Sequence, residues 1–426
     1  MNQEILEFVY ALKREGIKYD LKLMKQFDLS QGLPHKSYKN IHITGTNGKG
    51  SVSSMIFNIL RMSNKTGLYT SPHLIKFNER ILSHDRFITD DEMEEILNLY
   101  LPAAKAGIAE NRNPTFFEIT TELAFQHFKN SGMQWASIEV GLGGRLDATN
   151  VIIPELSVIT KIGYEHTDKL GTTLRDIAYE KSGIIKEGKP AVTGERKPEP
   201  LTEIQRIADR RNSSLIRSWE YVTVKNLKSD AFKTEFQAIT PFETYDISLN
   251  LAGKFQVENA CMAISAIENC GISYNRKMVE DGMSNARWPG RLQVINQDPL
   301  VMVDSSHNPP AATTLSKSIN ELVKIKPVLV VGMLSDKDHY SYLHNISSCS
   351  DSIILTTPDE ENRAIDPWKL KPIADGIFKD VKVIEDPVEA YEYSIARNPF
   401  TLITGSMYLT GKILQVKNID MMPFNK

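Results

Sequence analysis

Short runs rich in β-branched residues alternate with helical stretches along most of this chain. Residues 40–44 (NIHIT), 135–140 (WASIEV) and 156–162 (LSVITKI) are predicted strands, and residues 51–62 (SVSSMIFNILRM) form a predicted helix. Strands that alternate with helices are typical of a parallel sheet covered by helices. The pattern therefore predicts an α/β fold.

The chain is long enough for more than one domain. Its 426 residues suggest two or three domains at roughly 100–200 residues each. Residues 221–250 alternate in a way that is typical of a local antiparallel sheet. After Trp288-Pro289-Gly290, six strand-like runs appear, and each is expected to be followed by a helix: LQVI, LVMVD, PVLVVGML, SIILTT, VKVIED and FTLITGS. We therefore predict two α/β domains, residues 1–288 and residues 289–426.

Charge and composition exclude several classes of protein. With 50 Lys and Arg against 53 Asp and Glu, the net charge is −3, which gives no general attraction to nucleic acid or to an anionic membrane. The 41% of hydrophobic residues argues against disorder or a coiled rod. Residues 327–334, one of the longest apolar runs, are far short of the ~20 needed to span a bilayer, and residues 1–16 do not resemble a secretory signal. These features predict a cytoplasmic protein with no nucleic-acid or membrane partner.

The three cysteines also fit the prediction of a cytoplasmic protein. They are Cys261, Cys270 and Cys349, too few and too irregularly spaced for a disulfide framework or a zinc site. Cys261 and Cys270 lie in residues 255–270, a predicted helix rich in Ala, Ile and Met. We expect these two cysteines to be core residues.

Residues 44–51 (TGTNGKGS) form a glycine-rich loop between a predicted strand and a predicted helix. Glycines allow consecutive backbone N–H groups to point at one anion, Lys49 adds a positive charge, and the Ser51 hydroxyl can ligate Mg²⁺. The spacing departs from the general G-x-x-x-x-G-K-[ST] pattern, because Ile43 replaces the first glycine and Gly50 separates Lys from Ser. The alternative is a glycine turn with a solvated lysine. The strand–loop–helix context favours a site for the phosphates of ATP.

This variant of the loop resembles that of the folylpolyglutamate synthase/dihydrofolate synthase family, a group of Mur-type ATP-dependent amide ligases. Further segments resemble the family in the same order: 69–74 (YTSPHL), 77–81 (FNERI), 115–118 (TFFE), 139–150 (EVGLGGRLDATN), 166–171 (HTDKLG), 178–183 (AYEKSG), 259–260 (NA), 289–291 (PGR), 304–309 (DSSHNP), 332–338 (GMLSDKD) and 404–409 (TGSMYL). The resemblance implies an N-terminal P-loop ATPase domain of the Mur ligase central type and a C-terminal Rossmann-like α/β domain.

The resemblance assigns nucleotide-binding residues to both predicted domains. They are Thr46, Asn47, Gly48, Lys49, Gly50, Ser51, Asn259, Arg291, Asp304 and His307. Arg291 offers a fork of donors for phosphate, and Asp304 can accept hydrogen bonds from ribose hydroxyls. The alternatives are an interdomain salt bridge for Arg291 and a strand-end turn for Asp304. Because one site then draws on two domains, we expect catalysis to require domain closure.

The resemblance also implies two Mg²⁺ sites. Their ligands would be Ser51, Ser71, Glu139, His166 and Lys181, the last as a carbamylated lysine that carries a negative charge. Lys181, Lys49 and His166 are the implied catalytic residues. The alternatives are a strand-end carboxylate that caps the next loop for Glu139, a loop histidine for His166, and a lysine on a solvated helix face for Lys181.

The acceptor pocket is implied by two matched segments. Its residues would be Phe116, Phe117, Glu118, Leu146, Asp147 and Ala148. An aromatic ring could stack on a flat pterin, and Asp147 could accept from its N–H edge. The two phenylalanines could equally be the core face of an amphipathic helix. Residues 27–37 (FDLSQGLPHKS) lack the usual Leu-Gly-Asn-Pro run of the family, which leaves the identity of the pterin or folate open.

The implied reaction joins L-glutamate to dihydropteroate, to a folate with its glutamate tail, or to both. ATP would phosphorylate the acceptor carboxylate, and the glutamate amine would displace the phosphate. A P-loop kinase, a nucleotide-dependent switch or transport ATPase, and a muramyl ligase are the alternative functions. The expected partners are these small molecules, and the expected state is a monomer.

Overall fold

The computed structural model describes residues 21–109, 115–358 and 363–425. Residues 1–16, which were not expected to form a secretory signal, lie outside these ranges. The described residues form an eight-stranded, a three-stranded and a six-stranded sheet, with helices packed around them. The predicted α/β class is confirmed. Within the described part of the chain, no helix combines the length and apolar character that a bilayer crossing requires.

The first sheet contains the strands that lead to the glycine-rich loop. Its strands are β1 (Lys39–Thr44), β2 (Thr66–Tyr69), β3 (Ile81–Ser83), β4 (Arg86–Phe87), β5 (Trp135–Glu139), β6 (Leu156–Ile159), β7 (Ala191–Thr193) and β8 (Leu215–Arg217). Their order is β4-β3-β2-β5-β1-β6-β7-β8. β3 is antiparallel to both of its neighbours, β2 and β4, and the six strands from β2 through β8 in this order pair in parallel. The parallel strands therefore all end at the same edge of the sheet.

Helices cover both faces of this sheet. The helices of this part of the chain are α1 (Lys22–Ser30), α2 (Lys49–Leu60), α3 (Asp90–Ala109), α4 (Phe116–Asn130), α5 (Thr167–Leu170), α6 (Leu174–Ser182), α7 (Pro198–Arg210), α8 (Ser218–Tyr221), α9 (Lys254–Asn269) and α10 (Arg276–Asn285). Ile41 and Ile43 of β1 join one core together with α2 and α9. Ala136 and Ile138 of β5 join a second core together with α4. The alternation of side chains along the strands thus supplies both faces.

The predicted antiparallel sheet within residues 221–250 is confirmed. It consists of β9 (Thr223–Ser229), β10 (Thr234–Ile239) and β11 (Thr244–Leu249) in the order β11-β10-β9. The burial of β10 alternates strictly, because one face packs on the core and the other meets solvent. Phe236 and Ala238 lie on the buried face and join the same core as α2 and α9.

The third sheet lies wholly after residue 289. Its strands are β12 (Gln293–Gln297), β13 (Leu300–Val303), β14 (Val328–Val331), β15 (Ser352–Leu355), β16 (Asp380–Val383) and β17 (Phe400–Thr404), and its helices are α11 (Pro309–Leu322), α12 (His339–Ile346), α13 (Pro367–Asp375), α14 (Pro387–Ile395) and α15 (Met407–Val416). The order is β12-β13-β17-β14-β15-β16, and every pair except β12–β13 is parallel.

One expectation about this third sheet is wrong. A helix was expected after each strand-like run, but β12 pairs antiparallel with β13 through a short turn. The two residues between them, Asp298 and Pro299, leave no room for a helix. The remaining described strands of this sheet alternate with helices as predicted.

Cys261, Cys270 and Cys349 are free and buried, which confirms the core assignment of Cys261 and Cys270.

Candidate active site

The glycine-rich loop follows β1 at the edge where the parallel strands end. Gly45 has φ 144°, and a Cβ atom there would lie 1.7 Å from the Thr160 Oγ1. A Cβ atom at Gly50 would lie 2.5 Å from Cζ2 of Trp288. The loop is therefore packed between the end of β6 and the segment that connects the two large sheets. Glycine is required at both positions because nothing larger fits.

Further contacts fix the middle of the loop. The Thr46 hydroxyl donates to the Gly163 carbonyl (3.1 Å) and accepts from the Gly163 N–H (3.0 Å). The Asn47 carbonyl accepts a hydrogen bond from the Thr160 hydroxyl (2.8 Å). Gly48, with φ 95°, caps α2, and a Cβ atom there would lie 2.7 Å from Oδ1 of Asn259. The predicted nucleotide residues of the loop and Asn259 are thus in direct proximity.

Lys49 and Ser51 stand in the first turn of α2. The Lys49 ammonium donates to the carbonyls of Gly45 (2.9 Å) and Thr46 (3.3 Å), so this side chain folds back over the loop. The Ser51 hydroxyl is buried and lies 3.4 Å from Nε2 of Gln256. A helix N-terminus, a lysine and a run of glycines form an anion-binding arrangement.

Glu139 ends β5 beside this loop, because β5 is the direct neighbour of β1 in the sheet. Its carboxylate is buried and accepts a long hydrogen bond from the Ser71 N–H (3.4 Å). Burial raises the pKa of Glu139 to about 7, although the charges of Lys49 and Arg291 act in the opposite direction. A buried carboxylate with so little hydrogen bonding is suited to a cation.

Lys181 lies inside the protein. The residue is 1% exposed, and its Nζ donates to Oε1 of Glu165 (2.6 Å) and to the Gly45 carbonyl (2.9 Å). The alternative of a lysine on a solvated helix face is therefore wrong. Burial lowers the pKa of Lys181, opposed mainly by the charge of Glu165. Burial alone would raise the pKa of Glu165, but the charges of Lys181 and Lys49 hold it at about 2.

His166 is exposed, has φ 46° and directly precedes α5. It lines a small cavity of about 30 Å³ together with Lys49, Glu165 and Lys181. The three residues predicted to be catalytic thus surround one polar space next to the loop. Glu165 was not assigned from the sequence. Its position directly before His166 was the signal that could have identified it.

Three predicted nucleotide residues come from the segment after residue 289. The Asp304 carboxylate accepts from the N–H groups of Leu292 (3.0 Å) and Ser306 (2.9 Å), as a strand-end turn residue does. Its contact with ribose stays a prediction. Arg291 is half-buried and forms no ion pair with any carboxylate in the described part of the chain, so the alternative interdomain salt bridge is absent there.

His307 is half-buried, and its ring Nδ1 lies 3.0 Å from the Ser305 carbonyl oxygen. Burial lowers the pKa of His307 to about 4. The charge of Lys337, in the matched segment at residues 332–338, acts on both His307 and His166. Charges from one half of the chain therefore act on a histidine of the other half, and Lys337 is a residue that the sequence did not assign.

The carboxylates predicted to bind the acceptor are held within their own segments. Glu118 accepts from the Thr115 N–H (2.7 Å) and caps α4. Asp147 accepts from the Leu142 N–H (2.8 Å) and from the Thr149 N–H (3.0 Å). Both side chains are buried. Their structural contacts leave substrate binding by these residues as a prediction.

Leu146 is half-buried, whereas Ala148 belongs to the core that contains α4. Phe117 is half-buried, and its ring lies where a Cβ atom at Gly141 would be, 2.4 Å from Cζ. The ring therefore packs on the strand-end loop. Substrate contact by these three residues also stays a prediction.

Arg80 connects the aromatic residues of this region. Its guanidinium lies 5.5 Å from the ring centroids of both Phe77 and Phe116. Its Nε donates to Nδ1 of His73 (2.9 Å), which fixes the histidine of the loop after β2. Burial lowers the pKa of Arg80, but its guanidinium stays charged well above neutral pH. This buried cation beside two half-buried rings was not assigned from the sequence.

The fold and this site define an ATP-dependent ligase of the Mur type. The model of the Mur ligase middle domain matches residues 43–267. The model of the Mur ligase, glutamate ligase domain matches residues 290–407. The two matched segments lie on either side of residue 289, although the exact domain limits stay a prediction.

Individual relatives indicate which family of Mur-type ligases the chain resembles. The dihydrofolate synthase/folylpolyglutamate synthase of Bacillus subtilis is 32% identical over 96% of this chain and 98% of that relative. The Mycobacterium tuberculosis folylpolyglutamate synthase complexed with ADP has a TM-score of 0.91 at 28% identity, covering 98% of this chain and 99% of that one. An Escherichia coli structure in complex with DHPP and ADP has a TM-score of 0.84 at 28% identity and covers 97% of both chains. The chain therefore belongs to the folylpolyglutamate synthase/dihydrofolate synthase family, which confirms the predicted family.

Proposed function

We propose that this protein uses ATP to form an amide bond between L-glutamate and the carboxylate of a pteroate or folate. The observation that carries the proposal is the meeting of the glycine-rich loop with Glu139, Lys181 and His166 at one strand edge. The charge of Arg291 acts on Glu139 there, and the charge of Glu165 acts on His307. A loop that binds phosphates explains ATP use. The acceptor and the amine would bind beside the phosphates, between the two halves of the chain.

The proposed reaction has two chemical steps. A carboxylate oxygen of the acceptor attacks the γ-phosphorus of ATP, and ADP leaves. The glutamate amine then attacks the carbonyl carbon of the acyl phosphate, phosphate leaves, and the nitrogen loses a proton. Lys49 and the N-terminus of α2 would stabilise the charge on the phosphates, and closure of the two halves over the site would exclude water from the acyl phosphate.

The residues at the loop fit a magnesium ion. Ser51 and Glu139 offer the oxygen ligands that Mg²⁺ prefers, and Glu139 has little other hydrogen bonding. The described residues contain no group of three or more His, Cys, Asp or Glu side chains that could enclose a metal ion. Proteins commonly hold Mg²⁺ with one or two side chains plus substrate phosphates. When bound, Mg²⁺ would neutralise charge on the phosphates of ATP.

A second ion would use Ser71, His166 and a carbamylated Lys181. The modification forms a bond between Nζ of Lys181 and the carbon of CO₂, and one proton leaves the nitrogen. Burial favours the neutral amine that this step needs. The ion pair with Glu165 opposes it, so that pair must open before the nitrogen can react. A ¹³C NMR signal from protein kept under ¹³CO₂, absent in Lys181→Ala, would support the modification.

The acceptor would lie near Phe77, Phe116 and Arg80, where two rings and one cation can receive a flat anionic molecule. Two findings from relatives support this class of acceptor. The Bacillus subtilis relative is named for dihydrofolate and folylpolyglutamate synthesis. The Escherichia coli structure contains DHPP together with ADP.

The direct test is an assay with purified protein, ATP, Mg²⁺ and labelled L-glutamate, with dihydropteroate and tetrahydrofolate offered separately. We expect label to enter at least one acceptor and ADP release to depend on glutamate. ADP release that is unchanged without glutamate would instead indicate a kinase. No label in either product would overturn the proposed reaction.

A further inference from the structure

Residues 421–425, called here the return segment, bring the chain back to the first sheet after α15. Phe424 is 3% exposed and lies in a small apolar cluster with Phe57 of α2, Leu68 of β2 and Leu82 of β3. All three partners precede residue 289. The return segment therefore gives the second half of the chain a contact with the first half that is additional to the covalent connection at residue 289.

The backbone of the return segment is held by donors from two different elements. The Pro423 carbonyl accepts hydrogen bonds from the Arg287 N–H (2.9 Å), from Nδ2 of Asn58 (2.8 Å) and from the Ser54 hydroxyl (3.3 Å). Ser54 also donates to the Arg287 carbonyl (2.7 Å). One buried carbonyl thus joins α2 to the residues that lead into the second half of the chain.

A cation completes the binding of Phe424. The Arg61 guanidinium lies 3.6 Å from the centroid of the Phe424 ring, and Nε of Arg61 is buried with no hydrogen-bond partner in the described part of the chain. A guanidinium over a ring face is an attractive contact, and burial strengthens it. The aromatic ring at position 424 is therefore recognised by charge as well as by shape.

These contacts are linked to the glycine-rich loop through α2 and through Trp288. Ser54 and Asn58 belong to α2, the helix that begins at Lys49. Arg287 directly precedes Trp288, whose indole covers Gly50. A displacement of the return segment would release the end of α2 and the indole together. Both are connected to the loop, α2 through its first turn and the indole through its contact with Gly50.

We propose that Phe424 and the Pro423 carbonyl are positioning groups for ATP binding. They hold α2 and Trp288 in the arrangement that keeps the loop in its binding conformation. This inference rests on the proposed function only in that the loop binds a nucleotide. Because coupling between two sites is reciprocal, a nucleotide on the loop must stabilise the docked return segment by the same factor.

The test compares Phe424→Ala with Phe424→Leu, which keeps an apolar side chain, and with Asn58→Ala, which removes a hydrogen bond to Pro423. Phe242→Ala, at a 69% exposed ring, is the control for the loss of a phenylalanine. We expect Phe424→Ala and Asn58→Ala to raise KM for ATP about fivefold or more, a typical coupling. Phe424→Leu should recover part of this loss, whereas KM for the acceptor should be unchanged.

Hydrogen exchange supplies the reciprocal measurement. The Arg287 and Asn425 amides donate to the Pro423 and Asn285 carbonyls, so they report on docking of the return segment. ADP should slow their exchange in the unmodified protein. Variants that melt earlier but bind ATP with unchanged KM would overturn the inference and leave the proposed function standing. Unmodified protein that binds no ADP would overturn both.

Discussion

At the scale of single residues, Lys181 is the side chain that bears most directly on the proposed reaction. Lys181 is buried beside Glu165 and the loop carbonyl of Gly45. We expect Lys181→Ala to lower glutamate-dependent ADP release by at least about 100-fold, in the range found when one stabilising group is removed from an active site. Circular dichroism should show an intact fold.

Lys189→Ala is the matched control for this lysine. Lys189 forms a half-exposed ion pair with Glu155 (2.8 Å) and should be replaceable with little loss of activity. Near-normal turnover by Lys181→Ala would refute the catalytic assignment. A loss of fold in Lys181→Ala but not in the control would indicate a structural role.

Glu122 gives a prediction about stability that is independent of the reaction. It is fully buried in α4, and neither carboxylate oxygen has a hydrogen-bond partner among the described residues. Burial, and then the charge of Asp28, raise its pKa from 4.5 to about 9. Between these two values the folded protein holds a proton that the unfolded chain has lost. The free energy of unfolding should therefore fall as pH rises through this window, by up to about 1.4 kcal/mol per pH unit.

Glu122→Gln should remove this contribution, because the amide does not ionise. Urea titrations at pH 6, 7 and 8 should show that the variant loses less stability over this range than the unmodified protein. Glu220→Gln, at a side chain that is 58% exposed, should leave the slope unchanged. Equal slopes for Glu122→Gln and the unmodified protein would contradict the assignment.

Sequence reasoning identified residues in recognisable motifs better than the contacts that those residues make. The glycines of the loop follow from backbone physics, since a phosphate needs close approach of the chain. The partners Glu165 and Arg80 could not be found in the same way. Glu and Arg side chains are usually exposed, and only the fold shows that these two are largely buried.

At the scale of elements, the loop between β1 and α2 depends on its fit against β6. Gly45→Ala would place a Cβ atom 1.7 Å from the Thr160 hydroxyl at φ 144°. We expect the loop to be displaced and the affinity for ADP to fall at least about tenfold, which corresponds to about 1.4 kcal/mol. Isothermal titration calorimetry measures this directly.

Gly132→Ala is the control that separates the steric clash of a Cβ atom with Thr160 from the cost of placing alanine at a positive φ. Gly132 also has positive φ (65°), but a Cβ atom there would have no neighbour within 4 Å. It should leave the affinity for ADP unchanged. Equal affinities of Gly45→Ala and the unmodified protein would show that the loop tolerates the displacement.

The order of elements was predictable because each run has a clear periodicity, but pairing was not. The run LQVI predicted a strand followed by a helix, and only the two-residue connection between β12 and β13 shows a hairpin. The alternation in residues 221–250 was a stronger signal. A half-buried antiparallel strand places apolar and polar residues in strict turn, as the burial of β10 shows.

At the scale of the whole molecule, the two halves of the chain contact each other. Leu74 and Ile75, from the loop after β2, pack on a core formed by the third sheet and its helices. A Cβ atom at Gly411 of α15 would lie 2.2 Å from the Leu74 carbonyl oxygen. Lys254 of α9 pairs with Glu321 of α11 (3.3 Å). The predicted domain closure would therefore act on a surface that already has contacts across it.

Small-angle scattering can measure that closure. A compact chain of 426 residues has a radius of gyration of about 22 Å. We expect the radius to decrease toward this value when a non-hydrolysable ATP analogue and the acceptor are both present, because the predicted nucleotide-binding residues Arg291 and His307 would then approach phosphates on the loop. The analogue alone should give a smaller change than the two ligands together.

Lys254→Ala offers a matched perturbation of the interdomain contact. Loss of its ion pair with Glu321 should enlarge the radius of the ligand-free protein more than that of the doubly liganded protein, since ligands supply contacts of their own across the cleft. Lys233→Ala, at a surface pair with Glu235, should change neither radius. If both ligands bind by calorimetry and the radius stays constant in every sample, catalysis proceeds in a cleft that does not close, and the contacts across it serve to fix the two halves rather than to guide their motion.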